Sequence, residues 1–309
     1  MRITRAIKGI IVIAVAISIF GCKKAEKAAD GKLQIVTTTT MITDLIKNIG
    51  GDKVTVQGLM GSGVDPHLYK ASEGDVSKLF NADVVFYNGL HLEGKLEEVF
   101  EKMHHQEIKT IAIAAALDKK TLVSSVNFAS SFDPHIWFDI NNWKQCTRFV
   151  TEQLIAIDTV NAKVYRSNSV AYLAKLKKLE IEVRAIIAGL PQEKRILVTA
   201  HDAFNYFGKA YGFEVKGLQG LSTATEAGVQ DVQKIAKFII EHEVKAIFVE
   251  SSVPKRTIEA LQAAVKSKNH EVVIGGTLYS DALGNAGTKE GTYTGMFGYN
   301  VKTIVEALK

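Results

Sequence analysis

The sequence predicts an α/β fold of two lobes, each with a mainly parallel sheet flanked by helices, joined by one long rigid helix. Three observations predict it: strand-like apolar runs alternate with helical patterns, this alternation occurs in two series, and a long helical pattern separates the two series. Alternation of strands and helices is typical of parallel sheets covered by helices on both faces.

The first residues of the 309-residue chain form a targeting segment rather than part of this fold. Arg2, Arg5 and Lys8 precede the apolar run "GIIVIAVAISIFG", which is too short to span a membrane comfortably. Because a small residue stands directly before Cys22, we predict a lipoprotein signal peptide over 1–21, with cleavage before Cys22 and acylation of its thiol. The alternative is an ordinary secretory signal with an incidental cysteine. Residues 22–32 are charged and poor in large apolar side chains, which predicts a flexible tether.

The first lobe is predicted over 33–159. Its four strand-like runs are "LQIVTT", "VTVQGLM", "ADVVFYNG" and "KTIAIAAA". A helical pattern follows the first run, and another helix begins near Ser72, where Asp75 three residues later suggests a capping box.

A single long helix is predicted over 160–190. Large apolar residues recur at helical spacing from Tyr165 to Leu190, and the pattern closes at Gly189–Pro191. About thirty residues at ~1.5 Å each give a rod of roughly 45 Å, which would join the lobes as a stiff strut.

The second lobe is predicted over 191–309. Its four strand-like runs are "RILVTA", "FEVKGLQG", "KAIFVESS" and "EVVIGGTL".

Charge and cysteine content exclude several classes of protein. The net charge of +5 includes three positive charges from the targeting segment, so the remainder carries about +2. No basic patch indicates a nucleic-acid partner. Once Cys22 is acylated, only Cys146 remains, so no disulfide can form within the chain.

Four side chains are candidates for a metal site. Two of the four prolines stand in Asp-Pro-His tripeptides that contain His67 and His135, and His201 and Asp281 follow strands of the second series. At least three of the four lie beyond the carboxyl end of a predicted strand, where ligands bind in open parallel sheets. Since two come from each lobe, they can meet only in the cleft between the lobes.

Three carboxylates are candidates to support these ligands. Proline restricts its own backbone and that of the preceding Asp, which limits the directions open to each following histidine. Asp65 and Asp133 can accept hydrogen bonds from loop amides or from a ligand imidazole, and Glu250 is a third candidate. The alternative for any single loop histidine is a solvated surface residue, and the spacing alone leaves that alternative open.

Long collinear segments carry a family resemblance over nearly the whole chain from about Leu33. They are "GLMGSGVDPHLY", "NADVVFYNGLHLE", "FDPHIWFD", "LVTAHDAFNYF", "AYGFEVKGLQG", "AIFVESSVP" and "GGTLYSDALGNAGTKEGTY". On these segments the chain resembles the substrate-binding lipoproteins of bacterial zinc and manganese ABC importers, and within them the TroA-like group.

The resemblance implies two four-stranded lobes joined by one helix, and metal ligands at His67, His135, His201 and Asp281. It also implies a monomeric protein without enzymatic activity, held in the cell envelope by the lipid on Cys22 and facing the periplasm or exterior. Its partner would be an ABC permease with its ATPase.

Three imidazoles and one carboxylate suit one divalent transition-metal ion, either Zn²⁺ or Mn²⁺, with Fe²⁺ also possible. We expect release by a modest tilt of one lobe, with rearrangement of the loop "YSDALGNAG". The alternatives are a zinc hydrolase, an adhesion-type surface lipoprotein with a structural metal, and a receptor for an organic solute. A hydrolase is disfavoured because a fourth protein ligand closes the shell, and a solute cleft would be lined by aromatic side chains.

Overall fold

A computed structural model of the chain describes residues 31–125 and 128–309. The predicted signal peptide over 1–21, Cys22 and the tether up to residue 30 lie outside the described residues. The strands of the described part are β1 (Leu33–Thr37), β2 (Val54–Gly58), β3 (Val84–Tyr87), β4 (Lys109–Ala112), β5 (Ile196–His201), β6 (Glu214–Gln219), β7 (Ala246–Glu250) and β8 (Val273–Leu278).

Helices follow most of these strands, as the alternating pattern predicts. They are α1 (Thr40–Gly50), α2 (Glu73–Asn81), α3 (Glu97–His105), α4 (Ile140–Ile157), α5 (Ala162–Ala188), α6 (Asn205–Tyr211), α7 (Val229–Glu241), α8 (Arg256–Lys266) and α9 (Tyr293–Leu308).

All the pairs between the strands named above are parallel, which confirms the α/β fold class. In residues 33–159, the first half, one sheet has the order β2-β1-β3-β4. In residues 191–309, the second half, β5 pairs with β6 and β7 pairs with β8, while β5 and β7 lie side by side. The second half therefore contains two parallel pairs where one four-stranded sheet is expected. At the end of β5 the backbone amide of His201 donates to the Glu250 side chain.

Both faces of the central strands are buried, and alternate residues face different cores. One face of each sheet packs on a central core, to which Ile35, Phe86, Leu197 and Phe248 contribute. The opposite faces pack on two outer cores, one in each half; Val36 and Val85 belong to the first, and Val198 and Ile247 to the second. The central core is continuous between the halves.

Helix α5 confirms the predicted long helix. Its 27 residues span about 40 Å at ~1.5 Å per residue. It packs against α1, α4 and α9, which come from both halves, and one stripe of its side chains is buried. Leu33–Lys309 form one compact unit. The lobe boundaries predicted at 33–159 and 191–309 stay a prediction.

The capping box predicted at Ser72 is confirmed. Ser72 Oγ accepts the amide of Asp75, and the Asp75 carboxylate accepts the amide of Ser72 at 3.1 Å. Helix α2 begins directly after Ser72 because the backbone amides of Ser72 and Asp75 both find acceptors there.

None of the helices in 31–125 and 128–309 is both long and apolar enough to cross a membrane.

Candidate metal centre

Four buried side chains meet where the two halves face each other. His201 is the last residue of β5, and Asp281 lies three residues beyond β8. His67 lies in the loop between β2 and α2, and His135 directly precedes a single 3₁₀ turn that leads into α4. One ligand atom from each side chain lies within 4.8 Å of the others, and all four residues are buried. We call His67, His135, His201 and Asp281 the four-residue cluster.

The three imidazole rings and the carboxylate of the four-residue cluster face one common point. His67 Nε2 is 3.3 Å from His135 Nε2, and the three imidazole centroids are 5.2–5.8 Å apart with the rings inclined to one another. Asp281 Oδ1 is 3.6 Å from His135 Nε2, and its Oδ2 is 3.3 Å from His201 Nε2. Both carboxylate oxygens therefore face the imidazoles.

Asp133 fixes the ring of His135. Its Oδ1 accepts the His135 amide at 2.8 Å and lies 2.7 Å from the ring Nδ1. Its Oδ2 accepts Asn205 of the second half at 3.1 Å. A carboxylate on Nδ1 keeps the proton there, so Nε2 presents its lone pair to the centre of the cluster.

Glu250 holds His201 in a similar way, from the neighbouring strand. Its Oε1 accepts the His201 amide at 2.9 Å. Its Oε2 lies 2.6 Å from the ring Nδ1, close enough for an ion pair but not aligned as a hydrogen bond. Both residues are almost fully buried.

Asp65 differs from Asp133, although both belong to Asp-Pro-His tripeptides. Its Oδ1 accepts the amide of His67 at 2.8 Å, and its Oδ2 accepts the hydroxyl of Thr223 at 2.5 Å. Among the described contacts it makes none with the His67 ring. Identical local sequence therefore fixes one ring and only the backbone of the other.

Two atoms that face the centre of the cluster lack a hydrogen-bond partner within the described part of the chain. They are His201 Nε2 and Asp281 Oδ1, and both are buried. Buried polar atoms of native proteins are almost always satisfied, so each orphaned atom needs an explanation. A cation bound between them would satisfy both.

The protonation of the cluster follows from burial and charge. Burial lowers the pKa of His67 to about 3, so its ring is neutral near pH 7. Burial opposes the charge on both His201 and Asp281, but their mutual attraction is stronger. Glu250 and Asp281 together raise the pKa of His201 well above its ordinary value. His201 and the other imidazoles hold the pKa of Asp281 below its ordinary value. Three carboxylates, Asp133, Glu250 and Asp281, thus surround the ring nitrogens and favour a divalent cation.

Sequence reasoning missed three second-half residues whose hydrogen bonds support the site, two of them across the halves. Asn205 bonds Asp133, Thr223 bonds Asp65, and Ser252 donates to Asp281 Oδ2 at 3.2 Å. Their only sequence signal is that each follows a second-half strand within a few residues, at the edge where the histidines lie.

His91 lies outside the cluster. Its ring pairs with the carboxylate of Glu97 and is about one-third exposed. His104 and His105 are exposed at the end of α3.

A family model matches residues 35–307, nearly the whole described chain. Its description is zinc-uptake complex component A, periplasmic.

Curated relatives of known name share about half of the sequence. The manganese-binding lipoprotein MntA of Bacillus subtilis is 49% identical over 289 residues, which cover 94% of each chain. The zinc-binding protein TroA of Treponema pallidum is also 49% identical over 289 residues, or 94% of this chain and 92% of that protein.

A solved structure supports the same likeness. The periplasmic zinc-binding protein TroA from Treponema pallidum superposes with a TM-score of 0.87 at 48% identity, covering 90% of this chain and 99% of that one.

Proposed function

The chain belongs to the family of periplasmic zinc-uptake complex component A proteins, and on that premise we propose that it captures one divalent transition-metal ion for an ABC importer. The observation that carries this proposal is the convergence of four buried ligand atoms within 4.8 Å of one another. The ligands are His67, His135, His201 and Asp281. Zn²⁺ or Mn²⁺ is the cargo.

The donor set explains this choice of cargo. Imidazole nitrogens with one carboxylate suit zinc and neighbouring first-row ions, whereas calcium and magnesium prefer oxygen shells. Because both oxygens of Asp281 face the imidazoles, it can bind through one oxygen or two. Four coordination suits zinc, and five accommodates Mn²⁺ or Fe²⁺.

The relatives do not separate zinc from manganese, since two proteins with equal identity to this chain are named for different metals. Intrinsic affinity places zinc above manganese at any site of this kind. The metal supply of the cell then determines which ion is carried.

We infer that the protein is a receptor and not an enzyme. A catalytic zinc keeps one position open for water or substrate. Here four protein side chains converge, with Glu250 and Asp133 turned toward ring nitrogens rather than toward a free position. This arrangement favours holding an ion over activating water.

We also propose a membrane anchor and a transporter partner for the receptor. Relatives at 49% and 30% identity are named as lipoproteins, which supports export and lipid attachment through Cys22. The partner is the membrane permease of an ABC transporter with its ATPase, met by a monomer on the extracytoplasmic side.

Titration of the chelator-stripped protein with Zn²⁺ and with Mn²⁺ tests the proposal. Calorimetry should give one ion per chain, and the bound ion should raise the unfolding midpoint. His67→Ala or Asp281→Ala should lose most of both effects. His91→Ala is the matched control for His67→Ala, because His91 lies in the same half as His67 but outside the cluster. Equal loss in the control, or undiminished binding in both cluster variants, would refute the assignment.

A further inference from the structure

His67 is the least firmly held member of the four-residue cluster. The rings of His135 and His201 each have a carboxylate 2.6–2.7 Å from Nδ1, and Asp281 accepts the hydroxyl of Ser252. Within the described residues, the His67 ring contacts other imidazoles of the cluster but no supporting carboxylate. Its position therefore depends on the backbone of its loop.

That loop is held by one side chain from the second half. Asp65 bridges two groups: Oδ1 accepts the His67 amide at 2.8 Å, and Oδ2 accepts Thr223 Oγ1 at 2.5 Å. Thr223 is buried, in the loop between β6 and α7. Gly63 in the His67 loop also passes close to the second half, since a Cβ built there would lie 3.4 Å from the carbonyl oxygen of Ser251. Among the hydrogen bonds of the described residues, the Thr223–Asp65 bond is thus the one that ties the His67 loop to the opposite half.

The other site loops are tied across the halves more than once. In the Asp281 loop the Ser280 carbonyl accepts Trp137 Nε1 at 3.0 Å, and the Leu283 amide donates to Thr40 Oγ1 at 2.8 Å. Tyr293, at the end of that loop, bonds the carbonyl of Trp137 at 2.7 Å.

The His135 loop is tied in the same manner. Asn205 donates to the Asp133 carboxylate, and the Tyr206 hydroxyl donates to the Asp133 carbonyl at 3.0 Å. Opening either this loop or the Asp281 loop requires at least two hydrogen bonds between the halves to break together. Opening the His67 loop breaks one among the described residues.

We propose that Thr223 is a positioning residue: its hydrogen bond to Asp65 latches His67 onto the metal, and breaking this latch is the first step of metal release. His67 leaves while His135, His201 and Asp281 stay together. The proposal rests on the proposed function, and it moves the expected rearrangement from the "YSDALGNAG" loop to the loop that contains His67.

The latch is tested by the rate at which metal leaves. Wild type, Thr223→Val, Thr223→Ser and Thr225→Val are loaded with Zn²⁺, and release is followed by stopped flow after addition of excess EDTA. Thr223→Val keeps the side-chain shape but removes the donor, so the dissociation rate should rise about tenfold, the effect expected for loss of a hydrogen bond to a charged group. Thr223→Ser keeps the hydroxyl and should release at the wild-type rate.

Thr225→Val is the matched control. It makes the same change two residues away on an exposed side chain, and its release rate should equal that of wild type. The association rate should be the same in all four proteins. Release is followed at a temperature where each metal-free protein is fully folded, which separates a latch from a loss of stability.

Hydrogen exchange gives a second measurement. In metal-free Thr223→Val, exchange should accelerate in residues 61–68 and stay unchanged in 279–285.

Two results distinguish failure of the latch from failure of the function. If wild type binds zinc and Thr223→Val releases it no faster than Thr225→Val, or if exchange accelerates first in 279–285, the latch is overturned and metal capture stands. If wild type binds no metal, the proposed function is overturned and the latch with it.

Discussion

The three histidines of the cluster illustrate how much a residue's role depends on what lies behind it. His135 and His201 each present Nε2 inward because a buried carboxylate faces Nδ1. His67 carries no such partner among the described contacts, and its low pKa follows chiefly from burial, with a smaller contribution from the neighbouring imidazoles. A conservative change in the residue that supports the ring should therefore affect metal affinity more at His135 and His201 than at His67.

Asp133→Asn tests the partner of His135. The amide keeps the size of the side chain but removes the charge that fixes the ring, so affinity for Zn²⁺ should fall ten- to a hundredfold, the range typical of such outer partners. A chelator competition titration measures this change. Asp118→Asn is the control, because the Asp118 carboxylate also accepts the amide two residues on but is exposed and is not part of the cluster. An affinity equal to that of the control would show that the Asp133 carboxylate does not orient the ligand.

Metal affinity should increase with pH. Burial lowers the pKa of His201, but Glu250 and Asp281 outweigh it and raise the pKa well above its ordinary value. The metal-free imidazole therefore holds a proton at neutral pH, and the ion must displace it. Affinity should rise about tenfold per pH unit from neutral pH up to that raised pKa. His67, with a pKa of about 3, adds no proton in this range.

Calorimetry in buffers of different ionisation enthalpy counts the released proton. Glu250→Gln removes the strongest of the charges that raise the His201 pKa, so this variant should release less than the wild type. Equal release by the two proteins would contradict the assignment of the proton to His201.

At the scale of elements, the hydrophobic pattern of the sequence predicts most of the strands and helices. Strands such as β3 and β7 are continuous apolar runs because both of their faces are buried, and α5 shows a regular stripe because only one face is. These signals are local, so the sequence alone predicts the strands, the long helix and the capping box at Ser72.

Pairings between distant segments lie beyond such local signals. Nothing in the sequence around Thr223 indicates that its hydroxyl donates to Asp65, 158 residues away. The division of the second-half strands into two pairs, and the hydrogen bond from the His201 amide to the Glu250 side chain, likewise join segments far apart in sequence. The ligand types and the sheet edge could be predicted, whereas the supporting contacts could not.

Leu176→Ala in α5 tests the packing of the long helix. Leu176 is buried in the central core, so its truncation should lower the free energy of unfolding by about 2–5 kcal/mol. Urea denaturation of the metal-free protein measures this loss. Val170→Ala on the exposed face of the same helix should change it by less than about 0.5 kcal/mol. Similar losses in the two variants would mean that α5 is not packed as described.

At the scale of the whole molecule, the central core and the cross-links between the halves limit how far the site can open. The core draws side chains from both sheets and from α5, and hydrogen bonds join the halves on either side of the cluster. Wide separation of the halves would expose this core, which costs far more than movement of one loop.

Small-angle X-ray scattering of the metal-free and zinc-loaded protein tests this limit. The two curves should overlap closely, because loss of the ion moves the His67 loop and leaves the halves in place. A clear increase in the radius of gyration of the metal-free form would contradict the account and favour opening of the whole cleft.

The central claim is that His67, His135, His201 and Asp281 together hold one ion, and crystallographic anomalous scattering measures this most directly. Crystals of protein purified without added metal, with data recorded on both sides of the zinc and manganese absorption edges, should give a single strong peak. It should lie about 2.0–2.2 Å from three imidazole nitrogens and at least one oxygen of Asp281. A peak bound elsewhere, or full occupancy with two or more of these side chains turned away, would contradict the account.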